Sequence, residues 1–271
     1  MKRWMPSAVL AMALLCSVAM ASPAPDDTAT QIMGHAGDHR LLVLGEYHGT
    51  AETPRLVADL MERYSRDTAT VRLALELPMS ENVALARYLR SDGDAHARDR
   101  LRTSPFWSVK DDQHDGRRSR DMLALIEAVR VLRAQGRDVG VAGYDEETGV
   151  SAGSEARDAA MATHLRQQFN ALPADARMLV LTGNVHAMRT RSSDASPQMQ
   201  TTMASYLLDL PLYSVRLEAL RGHFWACVQP CRAMPLVARP PRAPVEDADL
   251  GRQYDLWIWM PAMSVGTLTD R

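Results

Sequence analysis

Four short apolar runs, residues 41–44, 71–75, 139–142 and 178–181, stand out along the first two thirds of the chain. Polar residues scarcely interrupt them, the pattern of strands covered on both faces. Between the runs, apolar residues recur every three or four positions. Thr53 and Pro54 form an N-cap and first-turn pair ahead of a stripe of Leu56, Leu60, Met61 and Tyr64. Met122, Leu125, Ile126, Val129 and Leu132 mark a longer helix, and Met161, Leu165, Phe169 and Leu172 a third. Strand, helix, strand, helix in this order predicts parallel strands joined by right-handed crossovers. After Leu210 the long helical stripes stop. Residues 212–217, 223–228 and 254–259 read as strands, which predicts an antiparallel edge or extension. The fold class expected is therefore α/β: a central mostly parallel sheet flanked by helices, with an antiparallel C-terminal extension. Residues 239–249, rich in proline and acid, read as a surface loop, and residues 92–116 as an irregular region with little periodicity.

The N-terminus adds a compartment. Lys2 and Arg3 precede an apolar stretch over residues 8–20, and Ala19-Met20-Ala21 places small residues where a signal peptidase cuts. The stretch is short for a membrane span. Cys16 follows Leu15, whereas a lipid-bearing cysteine follows a small residue. Residues 1–21 are expected to be a signal peptide and 22–271 one α/β domain, exported to the periplasm in a Gram-negative cell, with no stable membrane anchor after cleavage. In that setting Cys227 and Cys231 are expected to pair; half of a zinc site is the rival, but no second Cys pair or His cluster lies nearby. Composition agrees with a folded protein, 46% hydrophobic and 24% charged. A net charge of −2 offers no basic face for nucleic acid.

Polar chemistry gathers just beyond the apolar runs. The first leads into Gly45-Glu46-Tyr47-His48-Gly49, the second into Glu76, the third into Gly143-Tyr144-Asp145-Glu146-Glu147, the fourth into Gly183-Asn184-Val185-His186. The carboxyl ends of parallel strands form the ligand crevice of such sheets. Each residue has an ordinary structural reading, and Arg157 is an obvious ion-pair partner for the acids. Their joint placement points instead to one functional hollow. A neutral His oriented by a carboxylate can activate water, a second His can protonate a leaving group, and Arg157 can bind a substrate carboxylate or an oxyanion. Two His and a Glu also suit a divalent transition metal whose bound water is the nucleophile. The residue pattern leaves both routes open. No Gly-x-Ser-x-Gly elbow supports a serine nucleophile. Among secondary candidates, Asp111-Asp112-Gln113-His114-Asp115 reads as a solvated loop before a cation site, Asp115, Arg117 and Ser119 as helix caps, and 105–107 as an anchor in the core. His164 lies two turns from Arg157, and Tyr47 and Tyr144 near the crevice are possible haem-iron ligands.

At Gly45-Glu46-Tyr47-His48, Glu76, Gly143-Tyr144-Asp145, residues 157–162 and Gly183-Asn184-Val185-His186, the chain resembles the superfamily of erythromycin-esterase-like, ChaN-like haem-binding and Tiki/TraB proteins. The resemblance spans about residues 41–186 and implies an α/β fold with a site at its strand ends. It implies activities from esterase through metal-dependent peptidase to haem binding. On the esterase pattern His48 is the water-activating base, with Glu46, Glu76 and His186 around it; on the Tiki pattern His48, Glu76 and His186 bind metal. Esterase-like members have two residues between Glu and His, whereas here only Tyr47 intervenes, which argues against a macrolide substrate. The expectation is a hydrolase acting on a small-molecule or peptide substrate through His48, Glu46, Glu76 and His186, with Arg157, Asp145 and Tyr47 contacting substrate. A haem or metal carrier is the alternative, and an inactive relative the third.

Overall fold

The computed structural model describes residues 25–67, 70–146, 154–191, 201–228, 230–237 and 250–269. The expected signal peptide and the surface loop at 239–249 lie outside the described residues.

The four apolar runs become β1 (Leu41–Glu46), β2 (Thr70–Pro78), β3 (Asp138–Asp145) and β4 (Arg177–Gly183). With β5 (Leu212–Ala219) and a last strand, Leu256–Met260, they form a six-stranded sheet whose pairings are all parallel. Both faces are buried, as the uninterrupted runs require. Leu42, Leu44, Leu73, Leu75, Leu179 and Leu181 face one core, shared with helices α2 (Glu52–Asp67) and α5 (Arg120–Ala134). Leu41, Val43, Ala74, Met178 and Val180 face the other, under Met161, Leu165 and Phe169 of α6 (Ser154–Asn170). Alternate residues of one strand thus feed two cores, which is the period-two geometry of a strand applied to a run with no polar face.

Strands β6 (His223–Cys227) and β7 (Cys231–Pro235) form a separate antiparallel hairpin, and this pair is the antiparallel C-terminal extension. The segments at 212 and 254 do not join it. The first becomes β5 beside β1, and the second becomes β8 (Leu256–Met260) at the sheet edge, both parallel. The hairpin between them supplies the chain length that a parallel return needs. The order β3-β2-β4-β1-β5-β8 leaves β3 and β8 as the edges. The irregular region also holds more order than its pattern suggests. A helix, Ala95–Arg102, is capped by Asp94, whose side chain accepts from the Ala97 amide at 2.7 Å. Only Ala97 and Leu101 of that helix are buried, too few to make a periodic stripe.

Cys227 and Cys231 are disulfide-bonded across the hairpin turn. So short a loop restricts the unfolded chain only modestly, by about 2 kcal/mol. A Cys227→Ser, Cys231→Ser variant is expected to fold, with stability lowered by no more than about 2 kcal/mol in denaturant titration; a chain that no longer folds would show that the bond does more than close a loop.

Candidate active site

β1 ends on Glu46, and the chain then turns sharply through Tyr47 and His48 to Gly49, whose φ is 69°. A β-carbon at Gly49 would lie 2.6 Å from the Trp225 Cβ, so only glycine lets this turn close against the β6 strand. The turn folds His48 back over the strand end, where its Nδ1 meets Glu46 Oε1 at 3.0 Å. His48 Nε2 lies 3.6 Å from Glu76 Oε2. On the other side, His186 follows the end of β4, with its Nε2 3.9 Å from Glu76 Oε1. Its Nδ1 is 2.7 Å from Asp158 Oδ1 in the first turns of α6, and that oxygen also accepts from the Met203 amide. Two imidazoles, each held at Nδ1 by a carboxylate, therefore converge on one central glutamate. Gly183 lies beneath both rings: a β-carbon there would come within 3.0 Å of His48 Nε2 and 3.5 Å of His186 Cδ2.

Glu76 is 4% exposed, and both its oxygens are fully engaged. Oε2 accepts from the Thr182 hydroxyl (2.8 Å) and the Gly183 amide (2.7 Å). Oε1 accepts from Arg157 Nη2 (2.8 Å) and Arg117 Nη1 (3.1 Å). Both guanidiniums also grip Asp145: Arg157 through Nε and Nη2 on its two oxygens, Arg117 through Nη1. Arg117 is fixed in turn by Asp115, which accepts from its Nε, and by the Glu76 carbonyl, 2.8 Å from Nη1. Five carboxylates thus surround two guanidiniums and two imidazoles.

That excess of acid sets the protonation. Burial opposes a charge on His48, but the field of Glu76, the hydrogen bond to Glu46 and the more distant Asp115 outweigh it and hold the imidazole up to about 10. His48 is therefore an imidazolium at neutral pH. Burial likewise resists the charge on Glu76, yet His48 and Arg117 bring it well below the usual carboxylate range. Glu46, buried with fewer cations near it, is pushed up. His186 is assigned the opposite state to His48 by its partners. Arg157 Nη1 sits 3.1 Å from His186 Nε2 and can only donate, so Nε2 accepts and the ring hydrogen is on Nδ1, toward Asp158.

Glu46, His48, Glu76, Asp145 and His186 are brought to one place, as their strand-end positions predict, and Arg157 joins them from α6. Tyr47 is adjacent but turned aside; its hydroxyl is 3.2 Å from Glu218 Oε2 and its ring packs on Phe224. Three members of the cluster escape a reading by motif, and one of them, Asp115, pairs with Arg117 instead of capping a helix. Arg117 lies in the aperiodic stretch before α5, where Ser119 takes the expected capping role by accepting from the Met122 amide. Asp158 adjoins Arg157 in sequence, and only its place one residue further round the helix signals that it faces the second histidine. The remaining candidates are structural. His114 is buried and bonded to Asp111 at 2.9 Å and to the Gly116 amide, so the acidic stretch there is no open cation loop. Phe106 and Trp107 are buried, the anchor expected of them. His164 Nδ1 bonds to the Tyr144 carbonyl, away from the cluster.

The expected metal set, His48, Glu76 and His186, converges, but its donors do not suit a cation. A divalent metal needs lone pairs aimed at one point. Here Glu76 is spent on two guanidiniums, an amide and a hydroxyl, and the Arg157 guanidinium, 3.1 Å from His186 Nε2, repels a second cation at that nitrogen. Among the described residues no group of three acid, imidazole or thiol side chains forms a metal cage. Haem fares no better at the expected tyrosines. Tyr144 is fully buried with its hydroxyl on the Leu181 carbonyl, and Tyr47 is held by Glu218.

No family model matches the chain, and no curated protein matches it in sequence. Solved structures do match in fold. An erythromycin esterase in its open conformation superposes with a TM-score of 0.67 at 12% identity, covering 89% of this chain and 95% of that one. A succinoglycan biosynthesis protein gives 0.68 at 10% identity, covering 88% and 92%. A protein from Bacillus cereus gives 0.62 at 11% identity, covering 91% and 94%. At these identities the likeness is one of fold alone, shared with all three of these proteins.

Proposed function

We propose that the protein is an exported hydrolase of ester or peptide bonds that works by general acid–base catalysis between two histidines. The observation that carries this reading is the convergence of two carboxylate-held imidazoles on either side of Glu76, one with its Nε2 toward that carboxylate and the other with its Nε2 on a guanidinium. Pairs of titratable groups driven apart by their surroundings are how one site supplies an acid and a base at the same pH. His186, with its Nε2 lone pair facing the crevice, takes a proton from water, which exchanges with Arg157 at that nitrogen. The water oxygen then bonds to the substrate carbonyl carbon. Arg157, a third exposed, is placed to stabilise the resulting oxyanion. As the tetrahedral species collapses, the bond to the leaving oxygen or nitrogen breaks and His48 supplies its proton. Glu46 and Asp158 hold the two rings; Glu76 keeps His48 charged and, with Asp145, fixes Arg117 and Arg157.

These roles reverse those implied by the esterase resemblance, in which His48 is the base. The reason is electrostatic: a ring held to about 10 by its neighbours has no lone pair to offer at neutral pH. Export is supported by the disulfide, which belongs in an oxidising compartment. A small-molecule or peptide substrate fits imidazoles that are partly but not widely exposed.

On an ester and peptide panel, His48→Ala is expected to lower kcat by about 10²–10⁴-fold, the usual worth of a positioned acid. His164→Ala should be near neutral, and dialysis against a chelator should leave the rate unchanged. Activity lost to the chelator and restored by zinc would overturn the metal-independent reading. The pH profile tests the direction of proton transfer. Because the working form of His48 is protonated, kcat/KM should fall as pH rises through about 10. Glu46→Gln removes a partner that favours the charged ring, so that limb should move to lower pH. A rate that instead climbs through about 10 would make His48 the base.

A further inference from the structure

A cavity of about 490 Å³ lies along the β3 edge of the sheet, far from the strand-end cluster. Its floor is β3 itself at Gly140, Val141 and Ala142, which lie three to five residues before Asp145, or about 10–17 Å along the strand. Apolar walls come from Leu89 at the end of α3 (Asn82–Leu89), from Leu172 just beyond α6 and from Met178 of β4. The lining holds three arginines, Arg72, Arg90 and Arg133, and no carboxylate.

Those arginines are not equivalent. Arg72 is neutralised by Asp138, whose Oδ1 is 2.8 Å from its Nη2, and Arg133 donates to the Val139 carbonyl at 3.2 Å. Arg90, exposed beside the C-terminal end of α3, has no carboxylate partner among the described residues. The floor adds a polar edge. Gly143 turns its amide and carbonyl outward to Asn82, and Val139 its carbonyl outward to Arg133. Strand alternation therefore turns the Val141 amide edge outward too, into the cavity. A half-open hollow of this size, largely apolar with a few convergent polar groups, has the character of a small-molecule site.

We propose that this cavity binds an amphipathic anion of the fatty-acid kind, with its apolar chain against Leu89, Leu172 and Met178 and its carboxylate on Arg90. The charge of the lining decides the class: a neutral ligand gains nothing from Arg90, and a cationic one meets three guanidiniums and no carboxylate. Decanoate is the probe, with uncharged decanol as its control, both titrated calorimetrically against the full mature chain. Decanoate should bind about tenfold or more tightly than decanol. Arg90→Glu should weaken decanoate by about fivefold or more while leaving decanol unchanged. Ala86→Trp, at a half-exposed lining position, should fill the space and abolish both. Neither variant touches the histidine cluster, so hydrolysis and the circular dichroism spectrum should be unaltered. Equal binding of the two probes, decanoate binding that survives both variants, or no decanoate binding at about 1 mM would each overturn the proposal.

Discussion

A single buried carboxylate, that of Glu76, governs the arrangement of the strand-end cluster. An anion so enclosed is tolerated only when each oxygen is fully bonded and countercharge is at hand. Its partners come from three other parts of the chain: the end of β4, the loop before α5 and the start of α6. Satisfying one side chain therefore gathers three segments distant in sequence. The arginines so recruited need acids of their own, which Asp145 and Asp115 supply. Replacing Glu76 by an apolar residue would leave the buried Arg117 short of countercharge, a loss of about 3–5 kcal/mol. The cluster is rigid for this reason, and its reactive rings remain at the margin, where solvent reaches them.

The same charges decide the chemistry. His48 and His186 are alike in type, in strand-end position and in having a carboxylate at Nδ1. They differ in what meets Nε2: the Glu76 carboxylate in one case, a guanidinium N–H in the other. On the proposed reading, that difference separates a proton donor from a proton acceptor without any change of residue type. It also accounts for the poor match to a metal, since the same guanidiniums occupy the directions a cation would need.

The strands of the sheet were legible because burial on both faces leaves an apolar run with almost no polar positions. Strand direction after residue 210 was not legible, because pairing sense depends on the connection, and the connecting hairpin has a strand pattern of its own. Glu46, His48, Glu76, Asp145 and His186 could be found as polar residues directly following such runs. Arg117 could not: it sits in a stretch without period and reaches the cluster only because Glu76 needs a cation. Asp158 was hidden in a helix whose apolar stripe said nothing about its polar face. Protonation lies furthest from the letters, since the state of His48 arises from carboxylates contributed by three separate segments.

The turn bearing His48 and the loop bearing Arg117 meet through bare backbone, Gly49 against Gly116, with Trp225 of the hairpin wedged on both. A β-carbon on either glycine would act as a shim, prising the imidazole-bearing turn from the guanidinium-bearing loop. The spacing between the His48 turn and the Arg117 loop is thus gauged by the thickness of two peptide chains and nothing softer.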